Sequence, residues 1–169
     1  MKTLKICLIV VLSMIPCLSF AQTKQKTKFT QNIGLELCGA STGLGLRYDM
    51  RLKGNHGLGF SAAVAYSHGI DAAYEKGSDL DNILIPVEVN YLTGKNNSHF
   101  EVGLGMMNGR YSMPHWSFYG YYFYFNIGWR YQKPKGFMFR TGLSPSFGWG
   151  THYMEKSWFF PYIGVGWSF

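Results

Sequence analysis

Trp158-Phe159-Phe160-Pro161-Tyr162-Ile163-Gly164-Val165-Gly166-Trp167-Ser168-Phe169 is the stretch whose pattern decides the fold. Side chains of an extended strand alternate between two faces. Phe159, Pro161, Ile163, Val165, Trp167 and Phe169 therefore share one face, and Trp158, Phe160, Tyr162, Gly164, Gly166 and Ser168 the other. The first face is apolar throughout and ends in rings. The second mixes glycine, serine and aromatics.

The same period of two runs back through the chain from Phe29, and no helical period interrupts it. Strands are expected over Asn32–Cys38, Gly43–Leu52, Leu58–Ser67, Ile83–Leu92, Phe100–Met107, Tyr121–Gln132, Phe137–Gly150 and Trp158–Phe169. Lys53-Gly54-Asn55-His56-Gly57 and Lys133-Pro134-Lys135-Gly136 carry turn chemistry. Gly39 to Thr42 is expected to be a brief link and Asn108 to Gly120 an aromatic-rich loop.

All eight charged residues of these strands, Glu36, Arg47, Asp49, Arg51, Glu88, Glu101, Arg130 and Arg140, fall on the face opposite the apolar one. An Arg facing the middle of a bilayer costs about 2–4 kcal/mol, so a lipid-facing surface excludes such residues. A soluble barrel would reverse the arrangement, with charges outward. The greasy face also carries Phe, Trp and Tyr toward strand ends, where interfacial girdles sit. The expected fold is all-β: a transmembrane, antiparallel, up-and-down β-barrel of eight strands, closed because hydrocarbon tolerates no open sheet edge.

With that pattern in place, residues 29 to 169 resemble the small eight-stranded outer-membrane barrels of the OmpX and OmpA-transmembrane-domain type. The resemblance implies a barrel in the outer membrane and no particular activity. Gly164, Trp167 and Phe169 match that group's C-terminal assembly signal, while Tyr162 stands at its polar position. The barrel-assembly machinery is the partner this implies, with outer-membrane lipids and lipopolysaccharide around the wall.

Residues 1–21 look like a secretory signal peptide: Lys2 and Lys5, an apolar run from Ile6 to Phe20 too short to span a bilayer, and Ser19-Phe20-Ala21 as cleavage site. Residues 22–31 would be a periplasmic tail and 32–169 the barrel. Removal of the signal lowers the net charge from +7 to +5. The remaining lysines lie in the tail and turns and make no basic face, so nucleic acid is not an expected partner. Cys7 and Cys17 leave with the signal and Cys38 stands alone, which excludes an internal disulfide and a cysteine metal site.

Two tiers are expected inside. The four Arg and four acids form a neutral, paired plug in a lumen just wide enough for side chains. Toward the extracellular end, Tyr122, Tyr124, Trp158, Phe160 and Tyr162 face small residues and outline a candidate apolar pocket. Pro86, Pro145 and Pro161 each remove a ladder donor in that half.

Chemistry is sparse. Outer-membrane lipid A deacylases carry a His-any-Ser motif; His152-Tyr153-Met154 lacks the nucleophile, and His115-Trp116-Ser117 has the spacing in a loop. His68, Asp71, Glu75, Asp79 and Asp81 make the second loop acidic without a metal-site pattern. No catalytic residue, metal or cofactor is assigned. A structural, adhesive or protective barrel is the leading expectation, ahead of a lipid-handling barrel and a narrow channel.

Overall fold

A computed structural model describes residues 30–68, 81–94, 96–112, 117–150 and 159–169. Nine ladder segments make eight crossings: β1 Thr30–Cys38, β2 Leu44–Lys53, β3 His56–His68, β4 Asp81–Thr93, β5 Ser98–Ser112, β6 Ser117–Gln132, β7 Gly136–Leu143, β8 Ser146–Gly150 and β9 Pro161–Ser168. Every pairing is antiparallel, and β1 meets β9 from Asn32 opposite Ser168 to Cys38 opposite Tyr162. That last ladder closes the sheet into a barrel, which satisfies backbone groups where no water reaches.

Three local features depart from the sequence expectation. The seventh crossing is not continuous: it breaks at Ser144 and Pro145, and β8 pairs with β6 through Tyr124 opposite Ser146. Pro145 lacks an N–H, although its carbonyl still accepts from Phe125 at 2.9 Å. The β3–β4 ladder skips from Ala62 opposite Val87 to Ala65 opposite Leu84, passing over Pro86. Most of the expected loop from Asn108 to Gly120 is strand, because β5 and β6 continue paired up to Ser112 opposite Ser117. The expected signal peptide, most of the acidic second loop, His115, Trp116, His152, Tyr153, Glu155 and Trp158 lie outside the described residues.

The faces are inverted relative to a soluble protein. Leu46, Val64 and Leu104 are 53%, 61% and 51% exposed, whereas Arg51, Glu101 and Arg130 are at 0%. A continuous outward apolar band of this size requires an apolar surrounding. Rings gather toward its ends: Trp129 packs near Phe139 at the periplasmic side, and Phe125 stacks on Phe147 at 4.7 Å nearer the other. Asp81 and Arg110 face outward too, at the extracellular rim, where the longer strands carry them above that band.

Candidate functional site

The lumen collects the charges of six strands into one chain of alternating sign. Glu88 lies 3.5 Å from Arg47, Arg47 2.9 Å from Glu36, and Glu36 3.1 Å from Arg140. Arg140 reaches Glu101 at 3.2 Å, Glu101 meets Arg130 at 2.7 Å, Arg130 meets Asp49 at 3.0 Å, and Asp49 meets Arg51 at 2.6 Å. Asn90 joins the two ends, accepting from Arg51 and donating to Glu88 at 2.9 Å. The eight sequence-derived charges are thus in mutual contact, and the sum is neutral.

Neutral groups complete the network, as buried charge requires. Asn126 donates to Glu88 at 3.0 Å, Arg47 to Ser61 at 2.6 Å, and Ser41 to Glu36 at 3.0 Å. Arg140 is held differently. Its contacts with Glu36 and Glu101 lack hydrogen-bond alignment, and its guanidinium lies 4.7 Å from the centre of the Tyr162 ring. Tyr162 itself fits because Gly128 and Gly142 oppose each other beneath it: a Cβ on Gly128 would stand 2.2 Å from the Tyr162 hydroxyl. Asn55 closes the periplasmic end by exchanging hydrogen bonds with Gln132 at 2.7 and 2.8 Å.

Above the charges the lumen is packed. Ala40, Ala65, Leu84, Met107, Tyr111, Tyr122 and Tyr124 form a buried cluster, with Phe118 stacked on Tyr111 at 5.2 Å. Tyr124 also donates to Glu88 at 3.3 Å, so it ties the two tiers together. The Gly39–Ser41 link is a 3-10 turn folded inward and fully buried, in contact with β1, β3, β4 and β9. Cys38, a half-buried thiol, and Thr42 flank it at φ 60° and 49°.

Of the five residues outlined as a pocket, the four that are described therefore separate. Tyr122 and Tyr124 fill the apolar cluster, Tyr162 lies deeper on Arg140, and Phe160 is half-buried outside the cluster with its carbonyl accepting from Ser144 at 2.8 Å. Tyr111, within the stretch expected to be an aromatic-rich loop, is at 0% exposure in the lumen. Its parity with Met107 and Gly109 was the available signal, masked by treating residues 108–120 as loop.

At the closing strand, Gly164 lies against Arg140, where an added Cβ would stand 2.9 Å from the Arg140 Cγ, while Trp167 and Phe169 point outward at 59% and 54% exposure. On the extracellular rim, Asp81 accepts from Tyr66 at 2.6 Å and contacts His68 Nδ1 at 2.9 Å. Ser117 is near Arg110 at 3.5 Å, and no general base is placed beside it among the described residues. Among those residues no cluster of three or more His, Cys, Asp or Glu is positioned to hold a metal ion.

No family model matches the chain, and no curated protein sequence matches it. Solved structures do. The N-terminal β-barrel domain of Pseudomonas aeruginosa OprF is similar at TM-score 0.51 and 13% identity, covering 83% of this chain and 96% of that one. Ail, the attachment invasion locus protein of Yersinia pestis, is similar at TM-score 0.42 with the same identity and coverage. The chain has the closed eight-stranded fold of the small outer-membrane barrels, of the OmpX and OmpA-transmembrane-domain type.

Proposed function

We propose that this protein is a non-enzymatic barrel of the outer membrane, closed to solutes, with a structural, adhesive or protective role in the cell envelope. One observation carries the reading: among the described residues the lumen is filled by eight ion-paired charges below and by Leu84, Met107, Tyr111, Tyr122 and Tyr124 above. Breaking such a buried pair leaves a charge uncompensated, so opening an ion path would be costly. The lipid-handling alternative would need the space those apolar side chains occupy. On this reading residues 1–21 direct export and are removed. Gly164, Trp167 and Phe169 engage the barrel-assembly machinery, and outer-membrane lipids surround the wall.

The test pairs two measurements. The full mature chain is reconstituted into planar bilayers and its current recorded; a strain lacking the protein is compared with its parent for detergent sensitivity and surface attachment. No stepwise conductance, with a defect in envelope integrity or attachment, is expected. Stepwise conductance with an unimpaired envelope and unchanged attachment would sink the proposal.

A further inference from the structure

The outward face of β2 to β6 combines an apolar groove with an exposed cation above it. Tyr48, Ala62, Val87, Met106 and Phe123 are successive register partners and form one transverse row. Ala62 is the only outward alanine of the described strands. Between the bulkier side chains around it lies an apolar groove of about 500 Å³. Directly above, the β3–β4 ladder skips Ala63, Val64, Ile85 and Pro86, so these two strands are loosely laced where the groove begins.

The second observation is a charge. Arg110 stands four residues up β5 from Met106, hence on the same face and about 13 Å away along the strand. It is exposed, reaches Ser117 at 3.5 Å, and has no carboxylate partner among the described residues. Asp81, the outward acid of that rim, is engaged by Tyr66 and His68. Tyr119, opposite Arg110, and Tyr121, one row lower, place this cation at the level of an aromatic belt.

We propose that this face binds one phosphate-bearing membrane lipid, its phosphate on Arg110 and one acyl chain in the groove over Ala62. The forked donors of Arg match phosphate oxygens two at a time. A neutral lipid would leave the guanidinium without a counterion, and a second copy of the chain offers no unengaged outward carboxylate at that height among the described residues. The proposal rests on the apolar band lying in a membrane and not on the filled lumen, so it is independent of the conductance result.

Native mass spectrometry of the detergent-extracted full chain tests it, with phosphatidylglycerol and diacylglycerol of identical acyl chains as probes. The expected result is a single phosphatidylglycerol adduct that falls about tenfold in Arg110→Gln and in Ala62→Phe, the scale of one lost charge-assisted contact. Diacylglycerol is retained weakly, and equally by wild type and Arg110→Gln. β-Sheet circular dichroism is recorded for each variant, and Val87→Phe narrows the same groove where Ala62→Phe fails to fold. Equal phosphatidylglycerol adducts in wild type and all variants overturn the proposal, since the lipid is then merely annular. A two-chain species lost in Ala62→Phe overturns it as well, because the groove is then a dimer contact.

Discussion

Glu101 occupies the middle of the charge chain, between Arg140 and Arg130, and is at 0% exposure. Truncation leaves two buried arginines each short of a counterion. Glu101→Ala is therefore expected to cost about 3–5 kcal/mol, the range for breaking a buried pair from one side, with Glu101→Gln also destabilising. Asp81→Ala, which removes an exposed rim pair, should leave the transition where it was. Urea unfolding in detergent micelles measures all three, and coincident midpoints for Glu101→Ala and wild type would exclude a load-sharing network. The membership of this network was legible in the sequence, because each charge has the parity opposite to Leu, Val and Phe. Its connectivity was not. Asn90, which joins the ends, carries no charge to flag it, and Arg140 finds Glu36 because both are register partners of Gly164, over which they meet, a pairing that only the ladder registers reveal.

The element that sequence reasoning understated is the turn Gly39–Ser41. Its glycine and small residues announce a chain reversal, but what draws it inward lies on other strands. Gly45 clears the way for Ser41: a Cβ there would stand 2.5 Å from the Ser41 hydroxyl oxygen. Gly39 is confined too, at φ 56° with Tyr162 Cβ 2.5 Å from where its own Cβ would be. An L side chain there is strained by the backbone and blocked by the ring. Gly39→Ala should expel the turn from the lumen, which exposes the adjacent Cys38 thiol and removes the Ser41 bond to Glu36. Maleimide labelling of the folded protein in detergent is expected to run faster in Gly39→Ala than in wild type, with β-sheet circular dichroism retained. An unchanged labelling rate would mean that the turn stays seated. The break at Pro145 was half legible for a similar reason: proline marks a missing donor, but alternation continues through it and hides the change of ladder.

For the molecule as a whole, the inverted faces make a claim about depth. Leu35 and Val165 are register partners near the middles of β1 and β9, and both point outward about half exposed. Tyr119 lies in the extracellular extension of β6, and Phe137 at the periplasmic start of β7. If the outward band sits in hydrocarbon, the cost of an arginine depends on height alone, since none of these side chains packs in the lumen. Leu35→Arg and Val165→Arg should each cost about 2–4 kcal/mol, and Tyr119→Arg and Phe137→Arg about 0–1, as the guanidinium reaches water or headgroups. The series is read by denaturant unfolding from liposomes, where the bilayer sets the height scale. A profile peaked at Leu35 and Val165 locates the membrane mid-plane across the closing seam of the barrel. A flat profile would mean that the exposed leucines and valines face something other than lipid, and that the outward band does not lie in a membrane.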